Sequence, residues 1–225
     1  MTKSVVVIAP HPDDETLGCG GTILKHKHAG DRVHWLIVTH MSEQSGFSID
    51  RVAKRNQEIQ TVAEKYRLDS YHHLYYPPSG LDQVPMTEIV SKISEVFKRT
   101  LPEIVYLPFR GDIHTDHAVV CDAVLSCTKW FRYPNIQKVL AYETLSETDF
   151  GINPDSNGFR PNVFVDIAPF LKTKIEIMRI FDSEISEFPF PRSERAIRAL
   201  AEVRGAASGF TAAEAFMLLR ERWSK

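Results

Sequence analysis

The stretch that decides the fold is an apolar run followed at once by prolines, a histidine and acidic residues, Val5-Val6-Val7-Ile8-Ala9-Pro10-His11-Pro12-Asp13-Asp14-Glu15. A short β-branched run is typical of a buried, parallel strand. A glycine-rich segment with helical spacing follows it, to about Gly30. His11, Asp13 and Asp14 are therefore predicted at the carboxyl end of a strand, where open α/β sheets bind their ligands. Taken alone, this polar segment could also be a solvated acidic turn.

A second polar cluster follows another apolar run. Asp112-Ile113-His114-Thr115-Asp116-His117 comes after Ile104-Val105-Tyr106-Leu107. If a helix begins near Thr115, His114 and His117 are three positions apart and can share a face of its first turn. Two strand ends that each carry histidine and aspartate predict one shared site.

Three of these side chains form the predicted metal site: His11, Asp14 and His117. Two imidazole nitrogens and one carboxylate oxygen, with a coordination position left open, are the pattern of a catalytic zinc site. The same donors also suit iron(II), so the residues alone do not fix the metal. The remaining polar residues of the two clusters are candidates for proton chemistry: Asp13, His114 and Asp116.

Hydrophobic periodicity elsewhere predicts strands and helices in alternation. The predicted strands cover residues 5–9, 33–39, 71–76, 103–107, 138–142 and 163–167. The predicted helices cover residues 16–28, 49–66, 87–99, about 115–124, 170–181 and 212–223. This order predicts an α/β fold, a Rossmann-like three-layer α/β/α arrangement with a mostly parallel sheet. The polar segment 144–161 is predicted to be a long loop that serves as a lid or an oligomer contact.

Length and composition fit one domain spanning residues 1–225, with 43% hydrophobic and 25% charged residues. A net charge of −2 gives no support to nucleic-acid binding. No stretch approaches the roughly 20 apolar residues of a membrane span, and the first residues lead into a strand rather than a signal peptide, so we expect a cytoplasmic protein without a membrane partner. Three cysteines without CxxC spacing argue against disulfides and thiolate zinc sites.

Other polar residues near predicted strand ends are candidates for substrate contacts. Glu143 and His40 each end a strand. Instead of contacting substrate, His40 could contact a metal ligand and hold it in position. Arg192 follows the break Phe188-Pro189-Phe190-Pro191. Its guanidinium could bind an anionic group of a substrate or form an ordinary salt bridge.

The pairing of Pro10-His11-Pro12-Asp13-Asp14-Glu15 with His114-Thr115-Asp116-His117 resembles the PIG-L/LmbE family of zinc-dependent de-N-acetylases. Supporting matches extend the resemblance over nearly the whole chain: Arg55 and Glu58, Tyr142-Glu143, Pro161-Asn162-Val163-Phe164-Val165-Asp166-Ile167, Pro191-Arg192-Ser193, Arg204-Gly205 and Ala213-Glu214-Ala215-Phe216. Asp112 stands where some thiol-biosynthesis members carry a tyrosine, which argues against that branch.

For the site, the resemblance implies a zinc-activated water that attacks an N-acetyl group. Asp13 would be the general base, a protonated His114 would stabilise the oxyanion, and Asp116 would hold His114 charged and oriented. Residues matching Arg55 and Glu58 flank the site in the family. The alternative for this chain is that Arg55 and Glu58 lie on an exposed helix and form only a weak ion pair. The implied cofactor is Zn²⁺, with Fe²⁺ as the alternative. The implied partner is a small-molecule N-acetylated amino sugar of the N-acetylglucosamine type, and a homo-oligomer is expected.

Two other functions fit parts of the pattern. One is a zinc amidase or esterase that acts on another acylated small molecule. The other is a non-catalytic, Rossmann-like ligand-binding module. This second alternative is weakened because Gly18-Cys19-Gly20-Gly21 follows an acidic loop and does not form a G-x-G-x-x-G turn directly after the strand.

Overall fold

The computed structural model describes residues 2–152 and 158–223. Within these ranges the chain forms seven strands: β1 Ser4–Ala9, β2 Arg32–Thr39, β3 Ser70–Tyr76, β4 Ile104–Pro108, β5 Lys138–Tyr142, β6 Val163–Asp166 and β7 Ala213–Glu221. The same ranges contain six α-helices: α1 Asp14–His28, α2 Ile49–Tyr66, α3 Met86–Thr100, α4 Thr115–Ser126, α5 Leu171–Met178 and α6 Glu194–Ala206. In the part of the chain covered by these ranges, no helix is both long and apolar enough to cross a membrane.

All seven strands belong to one sheet with the order β3-β2-β1-β4-β5-β7-β6. Five neighbouring strands are parallel: β3, β2, β1, β4 and β5. β7 runs antiparallel to both of its neighbours, β5 and β6. β1 pairs with β2 on one side and with β4 on the other, so Val5 is in register with both Val33 and Ile104. The loops that follow β1 and β4 are therefore adjacent at the carboxyl edge, which is the switch point of the sheet.

Helices cover both faces of the sheet, and a hydrophobic core lies on each face. Val5 and Val7 belong to the core under α1, α2, α5 and α6, whereas Val6 and Ile8 belong to the core under α3 and α4. β1 is buried along its whole length. A strand covered on both faces explains its continuous apolar run. The predicted three-layer α/β/α fold is confirmed.

The end of the chain corrects the sequence prediction. Residues 212–223, predicted to be a helix, contain β7 instead, which lies between β5 and β6. Ala215, Phe216, Leu219 and Trp223 have helical spacing, but only the first two are buried, and Trp223 is 92% exposed. The first half of β7 is buried on both faces, so it lacks the two-residue alternation that identifies a half-buried strand. Helix α6 did not feature in the prediction.

Helix α1 packs unusually closely on the sheet next to the two polar loops. A Cβ atom on Gly18 would lie 2.2 Å from Cδ2 of Tyr142, so only glycine permits this approach. The Tyr142 hydroxyl donates a hydrogen bond of 2.7 Å to the carbonyl of Ile8. These contacts fix the start of α1, which carries Asp14, against the ends of β1 and β5.

Candidate metal centre and active site

The three predicted metal ligands come together at the carboxyl edge. Oδ2 of Asp14 lies 3.3 Å from Nδ1 of His11 and 3.3 Å from Nε2 of His117. Four donors placed about 2.0–2.1 Å from a tetrahedral zinc ion are separated by about 3.3 Å, so these distances fit a metal. Nε2 of His117 is buried and has no hydrogen-bond partner among the described residues. An unpaired buried imidazole nitrogen aimed at two other donors is a second observation that fits metal binding.

A second carboxylate supports each histidine from the other side of its ring. Nδ1 of His117 lies 2.7 Å from Oδ2 of Asp112, and Nε2 of His11 lies 3.0 Å from Oδ2 of Asp116. Carboxylates that bond the far nitrogen of a ligating imidazole fix its tautomer and orientation. Asp112 is itself held by the hydroxyl of Thr148, which donates a hydrogen bond of 2.6 Å to Oδ1.

His11, His114 and Asp116 are an alternative set of donors for a metal. The carboxylate of Asp116, however, already accepts hydrogen bonds from the backbone N–H groups of Ser79 and Leu81, at 2.7 and 3.2 Å. With its bond to His11 as well, this carboxylate has three partners. The set formed by His11, Asp14 and His117 therefore fits a metal better.

The Asp116 carboxylate bonds His11 and lies near the His114 ring without a hydrogen bond to it. Oδ2 of Asp116 is 3.9 Å from Nδ1 of His114, and that nitrogen accepts the backbone N–H of Asp116 at 3.2 Å. Burial, together with the neighbouring His11, lowers the pKa of His114 to about 4. The physical reason is that His114 caps the N-terminus of α4, a position that calls for a hydrogen-bond acceptor. The lowered pKa favours a neutral His114, and the Asp116 carboxylate bonds His11.

Asp13 stands beside the metal donors with an unusual backbone. Its φ angle is +138°, which is rare for a residue other than glycine and is often found at functional sites. Its Oδ2 lies 2.9 Å from Nη1 of Arg192. Burial and the charge of Asp14 raise the pKa of Asp13 to about 7, although Arg192 opposes this shift. A carboxylate with a pKa near the working pH is well suited to accept and return a proton.

A cavity of about 180 Å³ opens over these groups. Its walls include His11, Asp13, Asp14 and His114, together with Thr39, Met41, Pro78 and Ser79 from the ends of β2 and β3. The remaining wall contains two arginines and two glutamates: Arg55, Arg192, Glu147 and Glu184. The cavity therefore brings together the two polar clusters that the sequence predicted to share one site.

The four residues predicted to contact substrate differ in position. Arg55 and Arg192 line the cavity. Glu58 is buried and pairs with Arg55 at 3.1 Å, so this pair is not the exposed one considered from the sequence. Glu143 forms a two-pronged ion pair with Arg204, at 2.7 and 2.5 Å, and lines a different cavity. A contact between Glu143 and substrate stays a prediction, and Glu143 does not line the metal cavity.

Glu147 and Glu184 are cavity residues that the sequence did not indicate. Both pair with Arg192, at 3.1 and 3.2 Å, and Glu184 also contacts the guanidinium of Arg55. Neither glutamate follows a strand directly or belongs to one of the polar clusters, and both lie in connecting segments. In the folded chain, their ion pairs with Arg192 hold both side chains at the cavity.

The edge of the sheet holds two histidines and a carboxylate as metal donors, with a further aspartate beside them. This arrangement in an open α/β fold is typical of metal-dependent hydrolases. Residues 6–128 match the family described as PIG-L, GlcNAc-PI de-N-acetylase. The chain belongs to this family, which confirms the resemblance stated from the sequence.

Known proteins are similar over nearly the whole chain. A diacetylchitobiose deacetylase of Thermococcus kodakarensis is 30% identical over 94% of this chain and 81% of its own length. The structure of an N,N′-diacetylchitobiose deacetylase from Pyrococcus horikoshii has a TM-score of 0.78 at 20% identity, covering 97% of this chain and 84% of the other. The structure of a conserved protein from Thermus thermophilus has a TM-score of 0.76 at 24% identity and covers 100% of this chain and 98% of the other. The two structures support the fold, and the first protein supports the family.

Proposed function

We propose that the protein is a metal-dependent hydrolase that removes the N-acetyl group from an amino sugar of the N-acetylglucosamine type. The observation that carries the proposal is that Asp13 lines one cavity together with the donors His11 and Asp14, and that the buried donor His117 lies 3.3 Å from Asp14. The family match and the similarity to a diacetylchitobiose deacetylase support deacetylation of a sugar as the reaction.

The two histidines and Asp14 would hold the metal, for which zinc is proposed and iron(II) is the alternative. A divalent ion bound there supplies Lewis acidity, which makes water a better nucleophile and polarises the amide carbonyl. The carboxylates of Asp112 and Asp116 keep the ligating rings in the required tautomers, because each bonds the nitrogen that faces away from the metal.

Asp13 is the proposed general base. Its carboxylate takes a proton from the attacking water as oxygen adds to the acetyl carbon. It then returns a proton to the amine nitrogen as the carbon–nitrogen bond breaks, so that acetate and a free amine are formed. Arg192 contacts Oδ2 of Asp13 and holds the carboxylate in place during these transfers.

His114 is the proposed donor to the oxyanion, as a neutral ring rather than the charged one expected from the sequence. Because its Nδ1 accepts the N–H of Asp116, the proton of the neutral imidazole is on Nε2. This nitrogen lies 3.5 Å from the hydroxyl of Ser79, in the wall of the cavity. A neutral N–H donor stabilises a developing negative charge without having to lose a proton afterwards.

The test combines metal analysis with measurement of amine release. The purified protein is assayed for zinc and iron, and then with N-acetylglucosamine, N,N′-diacetylchitobiose and matched N-propionyl and O-acetyl sugars, with and without a chelator. About one metal ion per chain and chelator-sensitive amine release from the N-acetyl sugars support the proposal. Cleavage restricted to other acyl groups would favour the amidase or esterase alternative, and bound ligand without any turnover would favour the binding module.

A further inference from the structure

Three aromatic rings form a cluster next to the cavity, at the ends of β2 and β3, in which two histidines are half-buried and a tyrosine is exposed. The ring of Tyr75 stacks on that of His73, with centroids 4.3 Å apart and an angle of 20° between the planes. The ring of His40 packs edge-on against both, at 4.8 Å from His73 and 5.0 Å from Tyr75. Tyr75 is nevertheless 67% exposed. We call His40, His73 and Tyr75 the aromatic shelf.

The shelf is held rigidly to the sheet. Nε2 of His73 donates a hydrogen bond of 2.8 Å to the carbonyl of Thr39, and the backbone N–H of His40 donates one of 2.7 Å to the carbonyl of Tyr76. Tyr75 has a φ angle of +61°, a conformation that bulky side chains rarely adopt. Such strain persists only where the surrounding structure imposes it, and it occurs preferentially at functional sites. The strain coincides with an irregularity in β3, where the register with β2 shifts between the pairs Ile37–His73 and Thr39–Tyr76, and such bulges direct side chains next to active sites.

The shelf borders the wall of the cavity. Thr39 and Met41, which flank His40 in sequence, both line the cavity, as do Pro78 and Ser79 shortly after Tyr75. β3 is separated from β1 by β2, so the end of β3 lies about 10 Å, or two inter-strand spacings, from the strand end that carries His11. That is a distance within the reach of a disaccharide, but not of a single sugar ring seated over the metal donors.

The chemistry of the shelf favours an uncharged ring. Burial lowers the pKa of His73 to about 4 and also lowers the pKa of His40, so both imidazoles are neutral at pH 7 and do not attract anions. The C–H face of a pyranose packs on an aromatic ring, while its hydroxyl groups stay in water. A flat, exposed and fixed tyrosine provides such a surface at little cost in conformational entropy.

We propose that the aromatic shelf is a sugar-binding subsite that holds the second pyranose ring of a glycoside whose acetylated ring lies in the metal cavity. This inference rests on the proposed deacetylase function and extends it. The substrate class is then a disaccharide or a longer N-acetylated glycan rather than a free monosaccharide, and Tyr75 supplies the principal contact with the second ring.

The test compares two substrates with the full-length, metal-loaded protein. For Tyr75→Ala, the ratio of kcat/KM for N,N′-diacetylchitobiose to that for N-acetylglucosamine should fall about fivefold, through KM, as expected for loss of one aromatic stacking contact. Tyr75→Trp should keep the ratio within about twofold of the wild type. Tyr71→Ala is the matched control, because Tyr71 is exposed on the same strand but is not part of the shelf. An unchanged ratio in Tyr75→Ala overturns the inference.

A second measurement separates this inference from the proposed function. If the wild-type protein releases no amine from any acetylated sugar, the proposed function fails, and binding of chitobiose by titration calorimetry then decides on the shelf. Weaker binding in Tyr75→Ala than in Tyr71→Ala supports the subsite. The inference is overturned if chitobiose does not bind, or if it binds Tyr75→Ala and Tyr71→Ala equally well. It is also overturned if sedimentation shows that Tyr75→Ala changes the oligomeric state while sugar binding stays the same.

Discussion

Nδ1 of His117 lies 2.7 Å from the carboxylate of Asp112, and both side chains are buried at the end of the sheet. The opposite nitrogen of the same ring is the one that has no partner among the described residues. Asp112 therefore fixes which nitrogen of His117 is free to bind a metal. Asp112 lies shortly before α4 but does not cap that helix. The capping position is taken by His114.

Replacing Asp112 should therefore weaken metal binding. We expect Asp112→Asn and Asp112→Ala to lower the affinity for zinc about 10- to 100-fold, because loss of an outer carboxylate lets the ligating imidazole reorient. Competition with a chromophoric chelator measures the change. Asp122→Asn is the control, since Asp122 lies on α4, the helix that carries His117, but forms an exposed pair with Arg110. Unchanged affinity in both Asp112 variants would show that this carboxylate does not support the ligand.

The two adjacent aspartates should have separable roles. We expect His117→Ala and Asp14→Ala to lose the metal, whereas Asp13→Asn should keep about one metal ion per chain and lose about 10²- to 10⁴-fold in kcat, the usual contribution of a general base. Metal content by atomic emission and turnover are measured on the same preparations. Loss of metal from Asp13→Asn would mean that the roles of Asp13 and Asp14 are assigned wrongly.

Arg192 should affect the pH dependence of the reaction. Its guanidinium lies between three carboxylates and lowers the pKa of Asp13 against the effects of burial and of Asp14. Removing the positive charge in Arg192→Gln should raise the pKa of Asp13, so the acidic limb of the kcat/KM profile moves to higher pH. Activity in Arg192→Gln should therefore be lost first on the acidic side as pH falls.

The measurement is a pH profile of kcat/KM for Arg192→Gln beside the wild type. Arg195→Gln is the control, because Arg195 is exposed and packs over the ring of Phe188. A uniform loss of activity at every pH in Arg192→Gln, without movement of the acidic limb, would indicate a structural role alone.

Much of the site could be predicted because it depends on strand ends. His11, Asp14 and His117 follow buried apolar strands, and parallel strands end at the same edge of a sheet. The hydrogen-bond partner of Asp116 was not predicted, since the family resemblance implied His114, whereas the folded loops place the Asp116 carboxylate 3.0 Å from Nε2 of His11. Glu147 gives no local signal because its place depends on an ion pair with a residue far away in the sequence.

The last strand, β7, is joined to α5 by a buried ion pair between Glu214 and Lys174, at 2.7 Å. Glu214 also accepts the backbone N–H groups of Gly21 and Thr22 at 2.8 and 2.7 Å, so it joins the last strand to α1. Apolar spacing in the last segment carries no information about these polar contacts, which connect three separate elements.

Lys174→Met should therefore destabilise the protein by about 3–5 kcal/mol, because it leaves the buried carboxylate of Glu214 without its counter-charge. Lys172→Met is a matched control on the same helix, where the lysine side chain is 88% exposed and lies 3.9 Å from Glu176. We expect that control to change the free energy of unfolding by about 0–1 kcal/mol. Urea denaturation followed by circular dichroism measures both. If Lys174→Met and Lys172→Met both change the free energy of unfolding by the same small amount, packing of β7 rather than the ion pair holds the last strand in the sheet.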